Sequence, residues 1–140
     1  MATTRDAGDV PRDPPDRRPR DRRLLGRRGE DVAVEHLAAR GMVVLDRNWR
    51  CREGELDVVA ADGARLVVAE VKTRSGTGFG VPAEAVTPSK AARIRRLAQR
   101  WLAERHADGA TGFAEVRFDV VAVLLTSDGI PEVDHYEGAF

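Results

Sequence analysis

Apolar residues recur along this chain with two different periods, and the changes of period mark its elements. Residues 1–21 carry Pro, Asp and Arg with almost no large apolar side chain, so they are expected to form a disordered tail ahead of one domain over 22–140. From Leu24 the spacing is helical: Leu25, Gly29, Val32, Ala33, His36 and Leu37 recur at it, and Gly41 can end the helix. MVVLDRNW over 42–49 reads as a strand. The stretches 54–61 and 64–73 read as two more strands around Asp62-Gly63, a strong hairpin signal. The Gly-rich segment 75–86 is long for a loop in a compact domain, which makes it a candidate for function. Thr87 can cap a second helix and Pro88 suits its first position. That helix runs to about His106, with Ile94, Leu97, Ala98, Trp101 and Leu102 on one face. Residues 116–125 read as a buried strand, and IPEVDHYEGAF adds a short edge strand. The order α-β-β-β-α-β-β predicts an α/β domain with a mixed sheet flanked by helices.

Composition narrows the picture. The 140 residues are one domain's worth, and an apolar content of 42% with 33% charged residues describes a chain that folds and stays in solution. The formal net charge is zero, so any case for a nucleic-acid partner must rest on local patches. No apolar run has the length to span a bilayer, and the first residues lack the apolar core of a secretory signal. Cys51 stands alone, which excludes an internal disulfide and a cysteine-built zinc site and fits a reducing cytoplasm. Lys72 and Lys90 are the only lysines among 23 cationic residues; all the others are arginine. Lysine is a compact charge with a movable pKa, whereas arginine is a planar fork that stays charged. The two lysines therefore mark positions where a guanidinium would serve less well.

The stretch 54-GELDVVAADGARLVVAEVKTR-74 sets carboxylates and a lysine into apolar strands. With Asp62-Gly63 at the tip, Ala61 faces Ala64, Glu55 opposes Glu70 and Asp57 opposes Val68. Side chains alternate faces, so Glu55, Asp57, Val68, Glu70 and Lys72 share one face, while Leu56, Val58, Val67, Ala69 and Val71 fill the other. Asp57 and Glu70 become diagonal neighbours, roughly 7–8 Å apart at the backbone, near enough to share one cation. Oxygen ligands with open water positions suit Mg²⁺ or Mn²⁺. Such an ion polarises a phosphate and lowers the pKa of a bound water. Lys72 would point to the same place. The alternative is a solvent-facing hairpin in which Glu70 and Lys72 simply pair.

Glu30 shares a helical stripe with Ala33, Val34 and Leu37 and should face the sheet. A carboxylate there needs a partner; otherwise it is an N-terminal acid favoured by the helix dipole. Gly26 and Gly29 leave room for close backbone approach. Lys90 stands one turn before Ile94 at the start of the second helix. It either reaches a phosphate or is a solvated first-turn residue.

Glu30, Asp57 and Glu70-Val71-Lys72 resemble the signature of the PD-(D/E)XK nuclease superfamily: an acid on a helix, an Asp at one strand and Glu-x-Lys on the next. The similarity is closer to the bacterial YraN family within it. It covers GRRGEDVAVEHL at 26–37, N-W-R at 48–50, G-E-L-D at 54–57, V-K-T-R at 71–74, F-G-V-P at 79–82, Lys90, R-F-D-V-V at 117–121 and the ending A-F. Leu56 replaces the proline of the superfamily name. The resemblance implies a restriction-endonuclease-like fold and the metal-dependent arrangement of Holliday-junction resolvases. Carried over by residue, Asp57, Glu70 and the Val71 carbonyl bind Mg²⁺, Glu30 assists through the metal or its water, and Lys72 is the catalytic lysine.

Other residues weigh less. His36, His106 and His135 share no spacing, which argues against a histidine metal site. Arg93, Arg96 and Arg100 form a stripe read first as a solvated helix face and second as a phosphate track. Arg74, beside Lys72, is the better phosphate candidate. Asp119 is either a further acid or the structural partner of an arginine. Trp49 and Trp101 are expected in the core. The leading reading is a Mg²⁺- or Mn²⁺-dependent endonuclease acting on DNA, including branched or damaged structures, with no membrane partner; a homodimer is compatible with it. The alternatives are a nucleic-acid-binding protein or complex subunit that cuts nothing, and a scaffold whose acids pair with arginines.

Overall fold

In the computed structural model, which describes residues 19–76, 86–107 and 112–140, the elements follow in the order α1 (Pro19–Ala39), β1 (Val43–Cys51), β2 (Gly54–Asp62), β3 (Arg65–Ser75), α2 (Pro88–Ala107), β4 (Glu115–Leu125) and β5 (Glu132–Tyr136). Helix α1 begins before Leu24, with a proline at its first position, where the missing N–H is no loss. Most of the expected tail, and residues 77–85 of the Gly-rich segment, lie outside the described residues.

The helix ends are set by local chemistry. Gly41 adopts φ 91°; its N–H donates to the Ala38 carbonyl at 3.0 Å, and the Met42 N–H donates to the Leu37 carbonyl at 3.1 Å. This is the Schellman pattern, which satisfies carbonyls that the last turn leaves open. At the start of α2 the Lys90 N–H donates to Thr87 Oγ1 at 3.1 Å, the N-cap bond expected from Thr-Pro.

The five strands lie in sequence order, β1-β2-β3-β4-β5. All neighbours are antiparallel except β3 and β4, which run parallel from Arg65↔Glu115 to Ser75↔Leu125. A parallel pair needs a crossover, and α2 lies in it. The apolar residues sort onto two faces. Ala33 and Leu37 of α1 pack on Val58, Ala60, Val67, Ala69, Val121 and Val123. Ile94, Leu97, Ala98 and Trp101 of α2 pack on Leu56, Val59, Leu66 and Val68. The sheet is thus sandwiched between the helices, in a restriction-endonuclease-like α/β fold. Trp101 is buried and its indole N–H donates to Asp46 at 3.0 Å; Trp49 packs partly buried in the same cluster.

Two details of the hairpin differ from the sequence reading. The loop is Gly63-Ala64, with Asp62 opposite Arg65 and Val59 opposite Val68. Gly63, at φ 64°, takes the first central position of the turn, which the type II′ geometry reserves for glycine. The register is therefore two residues away from the expected one, a shift that preserves which residues share a face. Leu56 departs further. It packs under α2 with its β1 partner Trp49 rather than beside Val58 on the α1 side, because alternation breaks at Asp57, which lies opposite the left-handed Asn48 (φ 52°) and past the end of the β2–β3 ladder.

Of the two glycines expected to allow close approach, only Gly29 does so. A Cβ there would stand 1.8 Å from Thr73 Oγ1 and 2.7 Å from Thr73 Cβ, whereas nothing lies within 4 Å of one at Gly26. Helix α1 rests directly on β3 at this point, and a β-branched side chain has little freedom to yield. Gly29→Ala should therefore cost about 1–3 kcal/mol through overpacking, while Gly26→Ala should gain up to about 1 kcal/mol from helix propensity. Urea unfolding of the two variants checks the contrast; equal effects would mean that the contact with Thr73 does not constrain α1.

Candidate functional site

Beyond Val58↔Ala69 the strand β2 leaves β3, and backbone donors of β3 on that side lose their ladder partners. The N–H of Val71 is satisfied by a side chain instead: it donates to Asp57 Oδ2 at 2.8 Å. This bond turns Asp57 toward β3, next to Glu70. Burial pushes the Asp57 carboxyl up to about 7, and the charge of Glu70 adds to the effect, outweighing the Val71 N–H; Glu30 and Glu55 push the same way. Asp57 therefore stands beside Glu70, as the sequence pattern anticipated, but through this bond rather than through the expected register.

Glu70 is only 12% exposed and carries two ammonium partners on one oxygen. Lys90 Nζ lies 2.8 Å from Glu70 Oε2, and Lys72 Nζ lies 3.6 Å from it. Both lysines of the chain thus meet at one carboxylate. Partial burial lowers the pKa of Lys72, with the neighbouring Lys90 acting in the same direction, against the pull of Glu70 and Asp57. A cavity of about 280 Å³ opens here, lined by Gly54, Glu55, Asp57, Glu70, Lys90, Arg93, Ile94 and Leu97. A second, of about 170 Å³, continues along α2 past Arg93, Arg96 and Arg100 to Glu53.

The remaining candidates separate into those near this cavity and those elsewhere. Glu30 Oε1 accepts a hydrogen bond from Asn48 Nδ2 at 2.9 Å. Asn48 lies between the pairs Arg47↔Val58 and Trp49↔Leu56, hence across from Asp57, and holds the left-handed φ of 52° that asparagine tolerates. It ties α1 to the splayed part of the sheet. The sequence reading saw Asn48 only as part of a motif, since nothing local announces its partner. Glu55 lines the cavity and pairs with Arg50 at 3.0 Å. Arg93, placed by pattern on a solvated face, lines the cavity as well. Arg74 is exposed toward the end of β3, on the strand parity of Glu70 and Lys72.

Asp119 belongs to another network. It is fully buried and receives both Nε and Nη2 of Arg117 at 2.8 Å, the Gly138 N–H at 3.0 Å and His135 Nε2 at 2.8 Å. It is a structural acid, one of the two roles open from sequence. His135 also meets His36, with Nδ1 of His135 3.0 Å from Nε2 of His36. Two histidines that share no spacing in sequence therefore join α1 to β5. Residues after β5 dock on β4: the Ala139 N–H donates to the Phe118 carbonyl at 2.8 Å, and Phe140 lies against the Phe118 ring beneath Arg95.

The fold is a restriction-endonuclease-like α/β sheet, and comparison with known sequences adds the family. Residues 29–123 match the model of the Uncharacterised protein family UPF0102. A UPF0102 protein of Acidothermus cellulolyticus is 54% identical over 125 residues, covering 85% of this chain and 95% of its own. Others from Frankia casuarinae and Frankia alni are 62% and 63% identical over 117 residues, covering 83% of this chain and 95% and 93% of their own. The chain belongs to the UPF0102 family, which is the YraN family. Among the described residues no helix is long and apolar enough to cross a membrane.

The Asp119 network has a pH signature. Burial alone would raise the carboxyl, but the bonds from Arg117, Gly138 and His135 more than offset it and hold the group below its ordinary 3.8. A folded-state pKa below the unfolded one stabilises fully above 3.8 and loses that contribution as pH falls through the folded value. Asp119→Asn should cost on the order of 3 kcal/mol at pH 7, since it strands a paired guanidinium. The gap from the wild type should narrow as pH drops below the carboxylate range. Denaturant titrations at a series of pH values read this; a gap that stays constant into acid would show that the charge of Asp119 is not what stabilises the fold.

Proposed function

We propose that this protein is a divalent-metal-dependent endonuclease acting on DNA, branched or damaged structures included. The observation that carries the reading is the meeting of Asp57, Glu70 and Lys90 in one cavity at the point where β2 and β3 part, with Lys72 beside Glu70 at 3.6 Å. Asp57 and Glu70, with the Val71 carbonyl, are the oxygen donors that would hold Mg²⁺ or Mn²⁺. Among the described residues no three of His, Cys, Asp and Glu converge as a closed metal cage. Mg²⁺ usually takes one or two carboxylates and keeps several waters, so this donor set fits it. The ion would supply Lewis acidity and a water of lowered pKa.

The protein's own groups divide the remaining work. Asp57 keeps one oxygen on the Val71 N–H, which fixes the direction of the other. Glu30, held by Asn48, contributes negative charge that is felt at Asp57 and would act through a water. Lys72, with its lowered pKa, would stabilise charge that grows on a phosphate oxygen. Arg93, Arg96 and Arg100 continue from the cavity along one side of α2, and Arg74 stands beyond Lys72. These are the groups expected to contact phosphates. The lone cysteine, Cys51, is a free thiol and suits a cytoplasmic protein.

A cleavage screen over duplex, single-stranded, flap and four-way DNA with Mg²⁺ and Mn²⁺ tests the activity. Asp57→Asn retains an acceptor for the Val71 N–H and should fold, yet lose cleavage. Lys72→Ala should fall by about a hundredfold or more in rate, as when one aimed electrostatic contact is removed, and Lys72→Arg should also be badly impaired, because the fork differs in shape and hydration. Full activity of Asp57→Asn would sink the reading. Binding without cleavage of any substrate would leave a nucleic-acid-binding protein on a nuclease fold.

Binding has its own measurement. Each phosphate contact removed should flatten the dependence of log affinity on log salt by about one unit. Arg74→Ala and Arg93→Ala should each do so; unchanged slopes for both would move the binding surface away from this side of the sheet.

A further inference from the structure

Lys90 is nearer to Glu70 than Lys72 is, although Lys72 belongs to the Glu-x-Lys motif and Lys90 comes from another element. Its ammonium is 2.8 Å from Glu70 Oε2, against 3.6 Å for Lys72. The side chain starts in the first turn of α2, whose Lys90 N–H is tied to Thr87, so its base is held at the rim of the cavity. Glu70 and Lys90 are 12% and 30% exposed at their side chains, a setting in which charge attraction exceeds that at an open surface. Lys90 also lines the cavity shared by Asp57 and Glu70, so it can turn away from Glu70 without the helix moving. A carboxylate oxygen occupied by an ammonium is not free to ligate a metal. A lysine ammonium, compact and singly charged, is also the side-chain group most like a bound cation.

We propose that Lys90 is the built-in counter-cation of the carboxylate pair, and that a divalent ion displaces its ammonium from Glu70 and frees it for a phosphate of the bound strand. The inference rests on the metal reading of the site. It explains why this chain, which uses arginine everywhere else, brings both of its lysines to one oxygen: one charge must stay and one must leave. A planar guanidinium making two parallel bonds to a carboxylate would resist departure.

The test uses the full chain and Mn²⁺ alone as probe, with titration calorimetry and thermal unfolding on the wild type, Lys90→Gln and Arg93→Gln. Lys90→Gln should be less stable than the wild type without metal. It should bind Mn²⁺ more tightly, on the order of tenfold, a usual size for two ligands coupled through one group, and its melting temperature should rise more on Mn²⁺ addition. Arg93→Gln lines the same cavity and controls for loss of charge alone, so its affinity should change less. Unchanged or weaker binding by Lys90→Gln, or equal tightening in Arg93→Gln, overturns the displacement while leaving the metal site in place. Failure of all three proteins to bind Mn²⁺ removes the metal reading, and this inference with it. A second readout needs no variant. Brief acetylation of the wild type followed by mass spectrometry reports Lys72 and Lys90 separately, and Mn²⁺ should raise labelling of Lys90 severalfold. Labelling that stays constant or falls overturns the proposal even if Lys90→Gln does not fold.

Discussion

The hydrogen bond from the Val71 N–H to the Asp57 carboxylate joins the architecture of this protein to its chemistry. A buried backbone donor cannot be left without a partner. Where β2 turns away after Val58↔Ala69, some group must replace the missing ladder bond. Asp57 does so, and that brings a second carboxylate beside Glu70 at the edge of a cavity. The parting of the strands makes the space, and the repair of the backbone puts an acid into it. Substituting a hydrophobic residue for Asp57 would thus disturb the sheet as well as the site, which is why the isosteric asparagine separates the two roles.

Charge balance around that bond follows from where the helices end. Helix α2 crosses between the parallel strands β3 and β4, and its first turn arrives over Glu70 with Lys90. Helix α1 arrives on the other face at Gly29, pressed on Thr73, and presents Glu30 to Asn48. Each helix therefore delivers one charged residue to the region where β2 and β3 part. The opposite side of the fold is neutralised separately: Arg117 and His135 satisfy Asp119, and His36 extends that chain to α1. One acid cluster is closed by hydrogen bonds and supports the fold. The other, around Asp57 and Glu70, retains open carboxylate oxygens facing a cavity.

Much of this was legible in the chain because it depends on short-range rules. Helical spacing around Leu37, the Thr-Pro start and glycine stop, and the apolar runs either side of Asp62-Gly63 determined the element order. Parity in β2 and β3 pointed to Asp57 beside Glu70 even with the turn misplaced, since a two-residue shift leaves faces unchanged; the Val71 bond, beyond the end of the ladder, is what brings them together. Lys72 followed from its position two residues after Glu70. The rarity of lysine pointed to Lys90 as well, without saying what it touched.

Tertiary structure alone decided the rest, because it turns on contacts between distant segments that no local pattern encodes. His36 and His135 are 99 residues apart in sequence and 3.0 Å apart in space. Asn48 holds Glu30 only because β1 and α1 meet there. Leu56 changed sides because alternation breaks at the neighbouring Asp57, opposite the left-handed Asn48, and Gly26 and Gly29, alike in sequence, differ because only one faces β3. Arg93 became part of the cavity through the placement of α2 over β2 and β3. The sequence by itself determined which residues are acids, lysines and core on each element. Which of them share a cavity was decided by how those elements pack, where backbone donors without a strand partner and buried charges had to find one another.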